Sequence, residues 1–383
     1  MRLPLLLALT ALTLALSVSA QSVNWVQYIN PTDRDDYAFG VCTFGDYLVV
    51  VGSASSDKFV ALLNKNTGEV VKTWIGNFGQ FTSCLSVSDR LYVVGAGGLY
   101  IFDERLNVIK RVEEIEWRPE AISFDGSYLY LAGWMWKDVD GDGRDERIWR
   151  IEKRTLDLDL VAYREYYREW NKAYEYYSNA YDIAINPATG ELWVVGEWSL
   201  SNKTTGSWMP DSPHSLLVIF DKELNVKKVV EYPRRHENYL GILRGVCFDE
   251  KGNAYVVEIF VLDRGGFAKF DKYGNVLAVN RGVGGWKIAC VGGRVYVFGS
   301  ESVGNYGRHV LYVLDENLKL LGKLVLSKNV EAHSWFSSGK PAFDSRNLYV
   351  AGYDDANRII VYSISLTARV VVEVVDGFGQ PRD

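Results

Sequence analysis

The sequence predicts an all-β fold, a seven-bladed β-propeller of four-stranded antiparallel blades with one amphipathic helix inserted on the loop face. Three observations predict this fold. A strand pattern recurs about every fifty residues. Turns rich in Gly, Asn and Asp separate short stretches in which apolar and polar residues alternate. The two ends of the chain carry strands that suit one shared blade.

The recurring strand pattern has an aromatic or aliphatic residue, then Val, and usually a closing Gly. Its seven copies end at Gly52, Gly95, Gly133, Gly196, Glu258, Gly299 and Gly352. An apolar strand that runs into Asp or Asn and a polar turn follows the copies, as at residues 99–108 and 217–226. A further strand precedes each copy, as at residues 245–249. Four short strands in about fifty residues is the size of one propeller blade.

The chain ends are expected to meet in blade seven. Residues 23–29 form a strand before the first blade, and we expect it to pair with residues 358–364 as the outermost strand of blade seven. Such closure removes exposed sheet edges. Residues 21–367 are therefore assigned to the propeller. Residues 368–383 are then a surplus tail; alternatively they form the outer strand of blade seven or the first strand of an appended module.

Residues 1–20 have the organisation of a secretory signal peptide. Arg2 precedes an apolar stretch over residues 3–16, and residues 18–20 (Val-Ser-Ala) suit cleavage before Gln21. The apolar stretch is shorter than the ~20 residues of a membrane span, and no later stretch approaches that length. We therefore expect a secreted or cell-surface protein with no membrane span after signal cleavage.

The composition narrows the class of partner. Hydrophobic residues make up 48% of the chain and charged residues 23%, which is typical of a globular protein. A net charge of −6 argues against nucleic acid as the ligand. The chain has only three Met and four Cys, and this scarcity of labile residues is typical of a thermophile.

Blade five carries a resemblance to a known repeat. Gly252, Asn253, Tyr255 and residues 267–276 resemble the β-propeller repeat of many secreted bacterial and archaeal proteins, which reads roughly D-x-x-G-N-x-Y-V-x-G and is loosely NHL-like. The resemblance covers blade five well and the other blades loosely. It implies a propeller and an envelope location, and the family has no shared activity. Tryptophan-aspartate and kelch signatures are absent from the sequence.

The insertions in the sequence are expected to lie on one face of the ring. Residues 162–177 are predicted to form the amphipathic helix, across the mouth of the ring at blades three and four. Its aromatic stripe consists of Tyr163, Tyr166, Tyr167, Trp170, Tyr174 and Tyr177. The stripe either packs on the ring or binds a ligand. Residues 198–214 form a long loop with Trp208 near its tip, and long loops on a tight scaffold are usually functional.

One acidic loop has the spacing of a calcium site. Asp138, Asp140, Asp142 and Glu146 occupy positions 1, 3, 5 and 9, with Gly at position 6 to allow a sharp turn. Converging oxygens suit Ca²⁺, and Trp149 at position 12 excludes an EF-hand. The loop resembles the calcium loops of integrin-type propeller repeats and dockerins, with Glu146 where those have Asp. The alternative is an acidic loop without an ion, and a bound ion would have a structural role.

Polar and aromatic residues are expected to converge on the mouth of the channel. The candidate ligand-binding residues are Arg118, Tyr176, Tyr177, Trp208, Arg234, Arg235, His236, Trp286, His333 and Trp335. Mixed charges beside aromatic rings suit an oligosaccharide or a peptide. We therefore expect a recognition or scaffold module for a glycan or an envelope protein, with no catalytic residue.

Two other functions remain open at this stage. One is an enzyme acting on extracellular polysaccharide, a lyase or hydrolase that would use His236, Glu237, Glu120 and Arg118. The other is a structural subunit of a surface layer, attached through residues 368–383.

The cysteines and one sequon suit an exported protein. Cys42 and Cys84 lie on predicted inner strands of neighbouring blades, as do Cys247 and Cys290, so that each pair forms either a disulfide or two buried thiols. Asn202 begins an N-glycosylation sequon, Asn-Lys-Thr.

Overall fold

The computed structural model describes residues 15–18, 21–32, 34–208, 214–230, 241–260, 266–280, 285–303, 306–326, 330–331, 340–354, 357–366 and 370–373. Within these ranges the regular elements are all β-strands. No helix that is long and apolar enough to cross a membrane is found among them. The all-β prediction is therefore confirmed.

The described strands group into seven units of four antiparallel strands, and a single parallel bridge between Arg147 and Tyr177 joins the third and fourth units into one eight-stranded sheet. Blade one has β3 (Asp36–Phe44), β4 (Tyr47–Ala54), β5 (Asp57–Asn64) and β6 (Val70–Phe78). Blade two has β7 (Phe81–Val87), β8 (Arg90–Gly95), β9 (Gly98–Phe102) and β10 (Val108–Val112). Blade three has β11 (Trp117–Phe124), β12 (Leu129–Lys137), β13 (Glu146–Arg154) and β14 (Leu160–Tyr166).

The remaining blades repeat this order. Blade four has β15 (Tyr174–Ile185), β16 (Leu192–Asn202), β17 (His214–Phe220) and β18 (Val226–Val230). Blade five has β19 (Gly241–Phe248), β20 (Ala254–Phe260), β21 (Gly266–Phe270) and β22 (Val276–Asn280). Blade six has β23 (Lys287–Val291), β24 (Arg294–Val303), β25 (Tyr306–Asp315) and β26 (Leu320–Val325), and β27 (Val330–Glu331) also pairs with β25.

Blade seven closes the ring with strands from both ends of the chain. It contains β28 (Ala342–Phe343), β29 (Asn347–Tyr353), β30 (Ile359–Ser365) and, outermost, β2 (Val23–Ile29). Tyr28 lies opposite Ile360 in this antiparallel pair, so the predicted pairing of the chain ends is confirmed. A separate two-stranded sheet joins β1 (Ala15–Val18) to β31 (Val370–Glu373). Most of residues 1–20 and 368–383 lie outside the described residues.

Seven apolar clusters lie between successive blades, and together they connect the blades into a closed ring. Ile101 of blade two packs with Leu131 of blade three, and Tyr349 of blade seven packs with Val50 of blade one. The second and third strands of the blades are buried almost throughout, whereas the outer strands alternate between exposed and partly buried residues. Continuous apolar runs such as Val49–Val51 are therefore interior strands.

The predicted helix over residues 162–177 is wrong. These residues contain the outer strand β14, a turn at residues 167–173, and the start of the inner strand β15. In β14, Tyr163 pairs with Glu152 and Tyr166 pairs with Trp149. The apparent helical spacing arose because aromatic residues of two strands on either side of a turn were read as one stripe. Tyr-rich sequence also favours strands.

The two ends of the blades differ in the length of their connections. The first and second strands, like the third and fourth, are mostly joined by tight turns such as residues 45–46 and 88–89. The long connections, including residues 138–145 and 203–213, join strands at the opposite end. We call that end the loop face. The predicted asymmetry of the ring therefore holds for the strand ends that the structure describes.

Candidate functional site

Four aromatic side chains form a continuous row on the loop face. Trp134 and Trp136 lie on β12 beyond Gly133, Tyr177 lies near the start of β15, and Trp208 lies in the connection after β16. Their successive ring centroids are 6.2, 5.7 and 5.1 Å apart. Trp136 is 42% exposed and Trp208 is 56% exposed. This aromatic row therefore offers ring surface to a ligand along the edge of blades three and four.

Arg147 lies over the inner half of the aromatic row. Its guanidinium carbon is 4.3 Å from the ring centroid of Trp134, 4.6 Å from that of Trp136 and 5.9 Å from that of Tyr177. One terminal nitrogen donates to Asn179 Oδ1 at 3.2 Å, and Nε is buried without a hydrogen-bond partner. Burial lowers the pKa of Arg147. The cation is thus held by rings, with donor capacity left over.

A second cationic group surrounds Tyr181. The guanidinium carbon of Arg244 is 3.7 Å from the ring centroid of Tyr181 and 5.6 Å from that of Trp286. Lys287 Nζ donates to the backbone oxygen of Tyr181 at 3.4 Å. Desolvation lowers the pKa of Lys287, which is partly buried in the wall of the channel. Two cations therefore contact Tyr181, Arg244 over its ring and Lys287 at its backbone oxygen.

The carboxylates of the mouth already have partners. Glu120 pairs with Arg118 at 2.7 Å and accepts from Trp134 Nε1 at 3.1 Å. Glu197 accepts from Asn179 at 2.8 Å and from the Tyr181 hydroxyl at 2.5 Å.

Asp182 makes no ion pair within the described residues, and its oxygens accept from two backbone N–H groups, those of Ile183 and Val246. In the described part of the chain, no carboxylate lies within ion-pair distance of Arg147, Arg244 or Lys287. We call these three residues the mouth cations.

Two spaces open beside these groups. A cleft of about 480 Å³ between blades two and three is lined by Trp117, Arg118, Trp134 and Trp136, with Glu113 and Glu114 on its far side. The channel holds a cavity of about 260 Å³, and its charged lining consists of Glu120, Asp182, Lys287 and Lys340. The aromatic row lies beside the cleft, and Lys287 belongs to the channel.

The structure places some of the predicted ligand-binding residues at this mouth. Arg118, Tyr177, Trp208 and Trp286 lie there. Tyr176 is fully buried in the core between blades two and three, so its assignment to ligand binding is wrong: side chains alternate along β15, and only its neighbours face outward. The predicted residues Arg234, Arg235, His236, Glu237, His333 and Trp335 lie outside the described residues.

Sequence reasoning missed Trp134, Trp136, Arg147, Tyr181 and Arg244. The missed residues lie on strands, whereas the search was directed at connections between blades. One signal was available: Trp134 and Trp136 continue the strand past the closing Gly133 with aromatic residues at alternate positions. Alternation beyond the usual end of the pattern indicates that the strand projects from the ring.

The acidic loop folds around its own carboxylates. The N–H groups of Gly141 and Gly143 donate to Asp138, and those of Asp142 and Arg144 donate to Asp140 and Asp142 respectively. Glu146 is fully buried, and burial raises the pKa of its carboxyl group. Lys203, from the connection after β16, reaches into the same loop. Its Nζ is 3.0 Å from Asp140 Oδ2 and also hydrogen-bonds Asp142.

The cysteines and the sequon lie near these features. Disulfides join Cys42 to Cys84 and Cys247 to Cys290, with Cα–Cα distances of 5.9 and 5.7 Å. Each disulfide crosslinks the inner strands of two neighbouring blades. Asn202 ends β16, and its side-chain oxygen accepts from the N–H groups of Thr204 and Thr205.

Comparisons with known proteins show the fold. No family model and no curated protein matches the sequence. The structure is similar to the Pan2 WD40 domain of Neurospora crassa, with a TM-score of 0.58 and 11% identity over 92% of this chain and 98% of that one. It is similar to the Cps50 (Swd1) β-propeller domain of Myceliophteria thermophila, with a TM-score of 0.54 and 13% identity over 90% and 99% of the two chains.

The WD40 β-propeller domain of Doa1 gives a TM-score of 0.54 at 11% identity, over 92% of this chain and 97% of that one. At these identities the likeness concerns architecture only. The seven four-stranded units, the closed ring and these neighbours together establish that the chain folds as a β-propeller.

Proposed function

We propose that this protein is a non-catalytic binding module, displayed outside the cell, which holds a carboxylate-bearing glycan on its loop face. The observation that carries the proposal is Arg147, a cation 4.3 and 4.6 Å from the ring centroids of two tryptophans and without a carboxylate partner among the described residues. A partly buried charge without an opposite charge nearby is unfavourable, and a ligand carboxylate would supply the opposite charge.

The aromatic row supports a sugar as the carrier of that carboxylate. Exposed Trp136 and Trp208, with Tyr177 between them, form a strip rather than a closed pocket. An extended oligosaccharide suits a strip of this kind. Each sugar unit presents an apolar face to an aromatic side chain while its polar groups stay in water. The guanidinium of Arg147 at one end of the strip is then placed to pair with a uronate carboxylate.

The glycan is favoured over an envelope protein by the shape of this surface. Protein interfaces centre on closely packed apolar pockets with depleted charge. The mouth instead combines the narrow aromatic row with the three mouth cations and with carboxylates that already have hydrogen-bond or ion-pair partners. If no glycan binds in the test below, we would conclude that the ligand is an envelope protein.

An enzyme that cleaves polysaccharide is the less supported alternative. Of its four expected residues, Arg118 and Glu120 are described, and they neutralise each other at 2.7 Å. Glu120 also accepts from Trp134. A general acid or base needs a proton to exchange with substrate, and this carboxylate is held by an ion pair with Arg118 and a hydrogen bond from Trp134.

The test scores binding and cleavage in the same tubes. The full mature protein is incubated with insoluble polyuronate and with neutral polysaccharides, and both retention on the polymer and new chain ends are measured. We expect retention on polyuronate without new chain ends. Trp136→Ala should reduce retention about fivefold, since stacking on one ring contributes on the order of 1 kcal/mol.

Tyr273→Ala is the matched control. Tyr273 is 61% exposed and lies in the turn between β21 and β22, on the face with short turns. This variant should bind as the wild type does. New chain ends would establish an enzyme, and retention on neutral polymers alone would contradict the role of the mouth cations. Absence of both signals would refute the glycan and leave an envelope protein.

A further inference from the structure

The loop over residues 138–146 brings several carboxylate oxygens close together. Asp138 accepts from the N–H groups of Gly141 and Gly143 at 2.7 and 2.9 Å. Carboxylate oxygens of Asp138, Asp140 and Glu146 lie within 4.8 Å of one another. Oxygens that each contact one ion at 2.3–2.6 Å are separated by at most about 5 Å, so this spacing suits Ca²⁺.

Glu146 gives independent evidence for a ligand. Its side chain has no exposed surface, and Oε2 accepts from the N–H of Val139 at 3.0 Å. Oε1, which faces the other carboxylates, is buried and has no hydrogen-bond partner. Leaving a buried carboxylate oxygen unsatisfied costs on the order of 1–3 kcal/mol. A cation at coordination distance from Oε1 would satisfy this oxygen.

Lys203 meets this need only in part. Its Nζ is 3.0 Å from Asp140 Oδ2 and 3.8 Å from Glu146 Oε1, which is beyond hydrogen-bonding distance. The ammonium group of Lys203 carries a single positive charge, whereas the loop contains the carboxylates of Asp138, Asp140, Asp142 and Glu146. A divalent ion would neutralise more of that charge and would accept six to eight oxygen ligands.

We infer that the loop over residues 138–146 binds Ca²⁺ and that Lys203 is its built-in competitor, so that the ion and the ammonium group exclude each other. Asp138, Asp140 and Glu146 supply the oxygens that already lie close together, and Asp142 lies in the same loop. Binding of the ion expels Nζ of Lys203 by charge repulsion and by occupying the same carboxylates.

The exchange has a consequence for the loop face. Lys203 begins the connection that carries Trp208, and Ser201 and Trp208 are paired across that connection. Arg144, within the acidic loop, pairs with Glu175 at 3.0 Å and donates to the backbone oxygen of Lys203 at 3.3 Å. Release of the lysine therefore frees one side-chain anchor of the segment that bears the outer end of the aromatic row.

The experiment is calorimetric titration of the full-length, disulfide-intact protein with CaCl₂. The wild type should bind one Ca²⁺. Lys203→Met should bind it about tenfold more tightly, because the competing ion pairs are gone. Glu146→Gln and Asp140→Asn should lose binding. Thermal unfolding of each variant without Ca²⁺ checks that it is folded, and Lys203→Gln serves as a second competitor-free variant.

Lys137→Met is the control for general charge. Lys137 lies one residue before the loop and pairs with Glu165 outside it. This variant should tighten Ca²⁺ binding far less than Lys203→Met does. Equal tightening by both variants, or unchanged affinity in Lys203→Met and Lys203→Gln, would refute the competition. Failure of the wild type and both Lys203 variants to bind Ca²⁺ would refute the site itself.

Discussion

A Cβ atom on Gly133 would lie 1.9 Å from the carbonyl oxygen of Arg118. The inner strand β11 carries a bulge at this point, between Pro119 and Ala121, which pushes its backbone toward β12. Blade four repeats the arrangement, with 1.9 Å from Gly196 to the carbonyl oxygen of Asn179. The closing Gly of blades three and four is thus required where the inner strand bends at the mouth of the channel.

Replacement of this glycine should therefore be costly. Gly133→Ala is expected to lower the free energy of unfolding by about 2–3 kcal/mol or more, because the contact is with backbone that has little room to move. Urea denaturation monitored by tryptophan fluorescence measures this change in the free energy of unfolding. Gly322→Ala is the matched control: Gly322 lies on the outer strand β26 with open space around its Cβ position. Equal stability of the two variants would contradict the steric explanation.

The disulfides should contribute substantially to stability. Cys42 and Cys84 are 42 residues apart, and chain-entropy theory gives about 4 kcal/mol for a loop of that size. The double variant Cys42→Ala/Cys84→Ala should lose stability of that order in urea denaturation. A thiol assay on the unfolded, unreduced wild type should detect no free thiol. Four reactive thiols there would show that the inner strands carry free cysteines instead.

His309 should make the protein sensitive to acid. It is fully buried between blades six and seven, and desolvation, opposed by Asp354, lowers its pKa to about 3. The unfolded chain has the ordinary value near 6.5, so the unfolded state binds an extra proton between these limits. Stability is therefore complete above pH 6.5 and falls as the pH drops toward 3, by about 1.4 kcal/mol per unit.

The measurement is the free energy of unfolding from pH 7 to pH 4 in the wild type and in His309→Gln. The variant should show a shallower slope, by about 1.4 kcal/mol per pH unit, whatever its absolute stability. Glu146 acts in the opposite direction, since a carboxyl group with a raised pKa gains stability on acidification. Parallel slopes in the two proteins would show that His309 does not titrate in this way.

Arg147→Lys separates charge from geometry. Lysine keeps the positive charge but lacks the planar guanidinium that lies near the rings of Trp134 and Trp136, and it has no fork for a carboxylate. We expect retention on polyuronate to fall severalfold in Arg147→Lys and further in Arg147→Met. Retention equal to that of the wild type in both variants would remove Arg147 from the site.

The sequence predicted the ring because its signals are local and repeated. The apolar runs, turns and closing glycines of each blade lie within that blade's own sequence. The strand over residues 23–29 had one natural partner, the strand near the other end of the chain. The helix failed for a physical reason. Two strands joined by a short turn at residues 167–173 can mimic helical spacing, and no periodic signal marks the turn.

The site was predicted less completely, because its contacts are between distant residues. Lys203 meets Asp140 across 63 positions of sequence, and Arg244 meets Tyr181 across neighbouring blades. Such pairs depend on how the blades are placed around the ring. The sequence analysis includes Trp208 and Trp286 among the candidate residues because both lie on connections, where function is expected.

Binding of a uronate oligosaccharide compared with its fully methyl-esterified form tests the proposed role of the mouth cations most directly. The two ligands share their rings and linkages and differ in the carboxylate charge. Calorimetry on the full-length protein should show the free acid binding at least about tenfold more tightly than the ester, with the difference abolished in Arg147→Met. Equal affinity for the two forms would contradict recognition of an acidic glycan at this mouth.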